Sequence, residues 1–217
     1  MHRNYMVFLP RQFPESASLI GVKRAQKCIL MRLLLAVPIA VRSQSIITNR
    51  PALTDRGHLE GLTYSNAALG FSYQLPQGFF VNPQPGTLPL GSLLLMIADK
   101  HNGTSWRDRI LLIADDAGKY SWTTSEYVTH FVRSIPAKLH VVVLRDTYSL
   151  KIAEHYFFRV DYQKADEGKT VYQTFVCTRL KDSLVSWTFT SLDEKQVGEM
   201  AASVSRVAFA PASSKAR

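Results

Sequence analysis

The fold of this chain is decided by the stretch YSNAALGFSYQLPQGFF, which runs from Tyr64 to Phe80. Between Leu69 and Leu75 apolar side chains alternate with small or polar ones. A period of two is typical of a β-strand that buries one face. Pro76 and Gly78 follow, and these residue types favour the end of a strand and a turn. The stretch therefore predicts a half-buried strand with an apolar side made of Leu69, Phe71, Tyr73 and Leu75.

Further strands are predicted along the rest of the chain. TVYQTFVCTRL and SLVSWTFTS are separated only by Lys181 and Asp182, which indicates a two-residue hairpin and antiparallel strands. SLLLMIAD and DRILLIAD are continuous apolar runs, which predict a sheet covered on both faces. HVVVLRD, which begins at His140, and EHYFFRVDY add two strands. The second places Tyr156, Phe158, Val160 and Tyr162 on one face.

Two capping boxes predict helices that begin near Thr124 and Leu192. The boxes are Thr123-x-x-Glu126 and Ser191-x-x-Glu194, and each precedes apolar residues at helical spacing. Pro136 ends the first helix. The order of strands, helix, strands and helix predicts an α+β fold. We expect a mainly antiparallel sheet covered by helices on both faces, an α/β/α sandwich.

The N-terminal region predicts export. A basic segment up to Lys27 precedes an apolar run from Leu33 to Val41, too short for a permanent transmembrane helix but typical of a signal peptide. We expect a leader over residues 1–43, a linker over 44–61, a single domain over 62–210 and a flexible tail over 211–217. This organisation predicts a secreted or periplasmic protein with no stable transmembrane helix once the leader is removed. An organelle-import leader and the N-terminus of a cytosolic protein are the alternatives.

The positive charge lies mostly in the predicted leader. The chain has a net charge of +9, but residues 1–43 hold seven of the 26 basic residues and only one of the 17 acidic ones. The remainder has an excess of +3, which supplies no general field for binding phosphates. We therefore expect no nucleic-acid partner.

A family resemblance is carried by Tyr64-x-Asn66 and Gly70-Phe71-x-Tyr73-x-x-Pro76-x-Gly78-Phe79. This pattern resembles the entry hairpin of the PsbP-like family, which also holds the Ran-binding protein Mog. The order of elements over residues 60–210 is similar as well. The resemblance implies a mostly non-enzymatic domain that docks onto protein partners or assists membrane complexes. None of the family's partner or metal contacts can be matched to positions in this chain.

Four residues are candidates for binding a divalent cation. Asp99, His101, Asp115 and Asp116 lie at the ends of two successive apolar strands. If these ends met, the side chains could hold a divalent cation, as in a small exported hydrolase or metal-dependent enzyme. Solvated strand ends are the simpler interpretation. We predict no metal site and no cofactor.

Other catalytic patterns are absent from the sequence. No G-x-S-x-G, phosphate loop or zinc-type Cys/His spacing occurs. Cys177 lies in an apolar strand pattern with no activating residue beside it, which predicts a structural thiol. We predict no catalytic residues.

The loop KHNGTSWR is the best candidate for a binding surface. Trp106 and Arg107 are residue types that contribute strongly to protein interfaces, and His101 lies in the same loop. The alternative is that the Trp106 ring packs against the first helix. The sequence therefore predicts a binding domain for a protein or envelope component, with His101, Trp106 and Arg107 as binding residues.

Overall fold

The computed structural model describes residues 54–82, 92–103 and 106–210. The predicted leader and tail lie outside these residues, as does most of the predicted linker. Inside the linker, His58–Glu60 forms a strand, β1, that pairs with the next strand. In the described residues no helix is long and apolar enough to cross a bilayer.

A seven-stranded antiparallel sheet forms the centre of the domain. Its strands are β4 (Phe80–Val81), β5 (Leu93–His101), β6 (Arg107–Asp116), β7 (Val142–Ile152), β8 (His155–Asp166), β9 (Lys169–Leu180) and β10 (Ser183–Ser191). Their spatial order is β4-β5-β6-β10-β9-β8-β7. The predicted antiparallel arrangement is therefore confirmed.

Short turns join the last four strands of this sheet. Lys181 and Asp182 connect β9 to β10, as predicted. Each of the three hairpin turns has a non-glycine residue with positive φ: Ala153 at 51°, Glu167 at 48° and Lys181 at 53°. Such φ values fit the primed turns of two-residue hairpins. The predicted start of β7 is wrong, because His140 has a left-handed φ of 46° and the strand begins at Val142.

A second, four-stranded sheet contains the strand predicted between Leu69 and Leu75. Its strands are β1, β2 (Thr63–Asn66), β3 (Phe71–Gln74) and β11 (Val207–Phe209), in the order β1-β2-β3-β11. Leu69, Phe71, Tyr73 and Leu75 are all buried, as the alternation predicts. This sheet brings the beginning and the end of the described domain together.

The residues Tyr64 and Asn66 hold the chain before β1. The Tyr64 hydroxyl donates to the Arg56 carbonyl at 2.7 Å, and Asn66 Nδ2 donates to the Asp55 carbonyl at 2.9 Å. The Asn66 Oδ1 accepts from the Leu69 amide at 2.8 Å. The Tyr-x-Asn pattern is therefore structural, because both side chains satisfy backbone groups at a chain reversal.

The two helices are α1 (Thr124–Arg133) and α2 (Glu194–Ala202). Thr123 and Glu126 form the predicted capping box of α1. The predicted box of α2 is wrong, because the cap is Asp193, whose carboxylate accepts from the amides of Lys195 and Gln196. The Ser191 hydroxyl instead donates to the buried Asp108 carboxylate at 2.8 Å.

The two helices pack in two different apolar clusters. Tyr127, Val128 and Val132 of α1 pack with Phe175, whereas Val197 and Met200 of α2 pack with Trp187. The second cluster, which we call the main cluster, also contains the apolar side of the four-stranded sheet. The α+β class is confirmed. The finer description as an α/β/α sandwich is not, because α2 shares its cluster with a second sheet.

The predicted apolar face of β8 is only partly buried. Val160 and Tyr162 belong to the α1 cluster and Phe158 packs beside it. Tyr156, predicted on the same face, is 61% exposed because it is the second residue of the strand, at the hairpin end.

Candidate functional site

The hairpin between β5 and β6 brings two of the predicted binding residues together. His101 ends β5, Arg107 begins β6, and the two are directly opposite in the ladder. Trp106 precedes Arg107 in the connection, which is described at residues 102, 103 and 106. The hairpin therefore places His101 and Arg107 side by side at one end of the sheet.

A partly buried ion pair lies beneath this end of the hairpin. Asp99 is fully buried, and Arg109 is directly opposite it on β6. The Arg109 Nε and Nη2 atoms donate to the two carboxylate oxygens at 2.7 and 3.2 Å. Paired hydrogen bonds of this kind fix both position and orientation. Arg107 Nη1 lies 3.9 Å from the same carboxylate, so its contact is much weaker.

Phe80, which sequence analysis did not select, completes the surface. It lies opposite Asp99 in the β4–β5 pairing, and its ring is 42% exposed. His101 stacks on this ring with centroids 5.5 Å apart, and the Arg107 guanidinium lies 5.9 Å from the ring centroid. We call Phe80, His101 and Arg107 the Phe80 surface.

The signal that could have identified Phe80 is the pair Phe79-Phe80. Side chains of consecutive residues in an extended chain point to opposite sides. Phe79 is 5% exposed and belongs to the main cluster, so its neighbour must face outward. One of two adjacent phenylalanines at a strand edge is therefore a surface candidate.

Trp106, the third predicted binding residue, is half-buried. The Lys169 ammonium at the start of β9 lies 5.7 Å from the ring centroid of Trp106. This separation is within the range of a cation–π contact. Trp106 is therefore linked to the end of the sheet at which β9 begins.

The four acidic and histidine candidates for a metal site do not meet. Because β5 and β6 are antiparallel, Asp99 near the end of β5 lies opposite Arg109, which is close to the beginning of β6. Asp115 lies near the other end of β6. Asp115 is six positions along β6 from Arg109, or about 20 Å. Within the described ranges no group of three His, Cys, Asp or Glu side chains could hold a metal ion. The condition for a metal site, that the two strand ends meet, is not fulfilled in this antiparallel pair.

The buried carboxylate of Asp115 is held by hydrogen bonds from two hydroxyl groups. Its carboxylate accepts hydrogen bonds from the Ser92 hydroxyl and from the Tyr127 hydroxyl, the latter at 2.6 Å. Burial, followed by the negative charge of Asp115, raises the pKa of Tyr127 far above its usual range. Asp115 therefore links α1 to β6. Asp116 accepts from the Gly118 amide at 2.9 Å and starts the short 3₁₀ turn at Ala117–Lys119.

Cys177 is buried on the α1 side of β9. Burial, with a smaller contribution from the charge of Asp115, raises the pKa of its thiol well above the usual value. A high pKa keeps the sulfur protonated, and the protonated form is a poor nucleophile. The predicted structural role agrees with this environment.

Comparison with solved structures finds a related architecture at very low sequence identity. The PsbP protein of the cyanobacterium Synechocystis aligns with a TM-score of 0.53 and 10% identity over 70% of this chain and 98% of that chain. LpqN of Mycobacterium tuberculosis, involved in cell envelope biogenesis, aligns with a TM-score of 0.45 and 9% identity, covering 65% of this chain and 83% of that one. No family model matches the chain. No curated protein sequence matches it either.

The likeness to cyanobacterial PsbP extends over nearly all of that protein. An identity of 10% carries information about architecture alone. The resemblance inferred from Tyr64, Asn66 and the Gly-Phe pattern is therefore confirmed at the level of fold: the described domain has a PsbP-like fold.

Proposed function

We propose that this chain is an exported, non-catalytic domain that binds a protein or envelope partner through the Phe80 surface. The observation that carries the proposal is the exposed Phe80 ring with His101 stacked on it and the Arg107 guanidinium beside it. Trp106 lies next to this surface in sequence and is a secondary contact. The signal-like leader supports export, and the PsbP-like fold is compatible with a binding domain.

The Phe80 surface combines an apolar group with a cation that is not neutralised at close range. Arg109 already occupies the Asp99 carboxylate through two short hydrogen bonds. Arg107 is 44% exposed and 3.9 Å from that carboxylate, so its donors are available to a partner. Aromatic residues and arginine are enriched among residues that contribute most to binding. The surface fits a partner site with an apolar side chain next to a carboxylate.

The support of this surface is rigid. The partly buried pair of Asp99 and Arg109 fixes the end of the hairpin that carries His101 and Arg107. A surface that is ordered before binding loses less conformational entropy when the partner binds. The second hypothesis is a small exported hydrolase or metal-dependent enzyme. It receives no support from the positions of Asp99 and Asp115, which lie near opposite ends of the β5–β6 pair.

A crosslinking experiment in the envelope of the native host tests this proposal. A photoreactive phenylalanine analogue is introduced at Phe80 in one strain and at Tyr156, which is 61% exposed, in the control strain. We expect one crosslinked product of defined mass at Phe80 and none of that mass at Tyr156. Adding Arg107→Glu should lower its yield about tenfold, the effect of losing one close charge pair.

Two results would contradict the proposal. One is the same set of products from both positions, which would mean that crosslinking reports only proximity. The other is turnover of a hydrolase substrate by the purified domain that is abolished by Asp115→Asn while the fold is retained. The fold of every variant is checked by thermal unfolding.

A further inference from the structure

The second candidate surface lies at the opposite edge of the seven-stranded sheet. Within the described residues β7 pairs only with β8, so its outer edge has no neighbouring strand. An edge of this kind presents N–H and C=O groups that can form hydrogen bonds with an added strand. The pairing of β7 with β8 is irregular between Val143 and Tyr148 but regular from Tyr148 to Ile152. The second half of β7 is thus a regular edge.

Apolar side chains are found at both ends of β7. Val142, Val143 and Leu144 are 50%, 43% and 41% exposed, although they are consecutive aliphatic residues. At the other end Leu150 and Ile152 are partly buried against the main cluster. Edge strands are usually protected by charged residues, proline or bulges. On β7 the bulges protect only the first half.

A cation lies between these apolar groups. The Arg145 guanidinium is 3.9 Å from the centroid of the Tyr148 ring, which holds it in a stacked position. Stacking occupies the flat face of a guanidinium and leaves its N–H groups available to a carboxylate. No carboxylate of the described residues forms an ion pair with Arg145.

The carboxylates nearest in the ladder and in sequence, Asp161 and Asp146, do not form ion pairs with Arg145. Arg159, opposite Tyr148 on β8, lies 6.0 Å from the same ring and donates from Nε to Asp161 at 2.8 Å. The Thr174 hydroxyl donates to that same Asp161 oxygen at 2.6 Å. Asp161, directly opposite Arg145 in the ladder, is thus already engaged by Arg159 and Thr174. Asp146, next to Arg145 in sequence, forms no ion pair with it either.

We propose that β7 binds an extended segment of a protein partner as an added strand. The segment carries an aspartate or glutamate that pairs with Arg145, and aliphatic residues on each side of it. Backbone hydrogen bonds form along Tyr148–Ile152, and the aliphatic residues contact Leu150 and Ile152 at one end and Val142–Leu144 at the other. A second copy of this chain fits less well, because two β7 strands paired around Arg145 would oppose like charges.

The proposal is tested with synthetic peptides and the purified domain. The probe is a short peptide of alternating valine and threonine with one central glutamate. One control peptide has lysine in place of the glutamate, and the other has N-methyl groups on alternate amides. Titration gives the affinities, and NMR-detected amide hydrogen exchange locates the contact.

We expect the glutamate peptide to slow amide exchange between Tyr148 and Ile152. The N-methylated peptide should have no such effect, because it lacks the donors that pair with a strand edge. The lysine peptide should bind about tenfold more weakly, and Arg145→Glu should reverse this preference. Arg179→Glu is the matched control, because Arg179 is an exposed arginine on the interior strand β9.

Three outcomes would overturn the proposal. The first is equal affinity for the glutamate and lysine peptides. The second is protection of another strand instead of β7. The third is protection of β7 without peptide together with a dimer in sedimentation, which would assign the edge to a second copy of the chain.

Discussion

Arg109 holds the fully buried carboxylate of Asp99 from the directly opposite position on the next strand, through hydrogen bonds of 2.7 and 3.2 Å. Replacing Arg109 by leucine would leave a buried charge without its close partner. We expect Arg109→Leu to lower the free energy of unfolding by about 3 kcal/mol. Urea denaturation measures this change.

Arg107→Leu is the matched control, because Arg107 is more exposed and lies 3.9 Å from the same carboxylate. Its cost should be below about 1 kcal/mol. Equal costs for the two variants would mean that Asp99 does not depend on the short pair with Arg109.

Gly57 lies where the chain before β1 passes close to Tyr64 and Ser65. Its φ is +69°, and a Cβ atom would lie 2.3 Å from the Ser65 carbonyl oxygen. Gly57→Ala should therefore cost about 2 to 4 kcal/mol, because it adds a clash to an unfavourable φ. Gly61→Ala is the control, since Gly61 has a φ of +58° but no atom within 4 Å of the added Cβ. If both variants unfold at the same urea concentration, the close approach at Gly57 has no energetic role.

Tyr127 links α1 to β6 through its hydrogen bond of 2.6 Å to Asp115. Tyr127→Phe removes this donor and leaves the buried carboxylate with one hydroxyl partner fewer. We expect a loss of about 2 kcal/mol, with faster amide exchange in α1. Tyr120→Phe should change the free energy of unfolding and the amide exchange of α1 much less, although Tyr120 contacts Tyr127 with ring centroids 5.2 Å apart. Unchanged exchange in α1 after Tyr127→Phe would show that the link to Asp115 does not hold the helix.

Buried tyrosines should make the fold sensitive to alkali, and Tyr64 and Tyr73 are two of them. Burial raises the pKa of Tyr64 and of Tyr73 to about 12 each. An unfolded tyrosine ionises near pH 10, so between about pH 10 and 12 the unfolded state releases protons that the folded state retains. Stability should be fully present below pH 10 and fall as the pH approaches 12.

The slope of the decline in stability with pH tests whether a given tyrosine contributes to it. Each tyrosine should contribute up to about 2 to 3 kcal/mol between the two pH values. Tyr73→Phe should make the decline of the urea midpoint with pH shallower, whatever its effect at neutral pH. The same slope in Tyr73→Phe and the unmodified chain would contradict the assignment.

Cys177 should react only after unfolding. Its thiol is buried and its pKa is raised, so at pH 8 the folded protein should react with iodoacetamide far more slowly than the same protein in urea. Mass spectrometry of the alkylated chain measures this ratio. Similar rates in both states would require an opening of the α1 side of the sheet.

The elements predicted best from the sequence are those set by local patterns. The alternation from Leu69 to Leu75 identified β3 and its buried side, and Lys181-Asp182 identified a hairpin. The box at Thr123 fixed the start of α1 because both partners lie within one helical turn. At Ser191 the same pattern failed, since the hydroxyl found a buried partner in Asp108, which is distant in sequence.

The candidate site was predicted only in part for a similar reason. His101 and Arg107 belong to one hairpin, so their proximity follows from a short connection. Phe80 joins them only through the pairing of β4 with β5, which no local pattern reveals. The pairing of β11 with β3 likewise joins residues far apart in sequence, and it produced a second sheet that was not predicted.

That last pairing has a consequence for the order of events during synthesis. Val207, Ala208 and Phe209 close the four-stranded sheet beside β3, and the Ala210 amide donates to the Gly70 carbonyl at 2.9 Å. A nascent chain that ends before Val207 would carry β3 with one flank uncovered and its Phe71 and Tyr73 rings less protected. The four-stranded sheet can therefore be completed only after its last strand, β11, has left the ribosome.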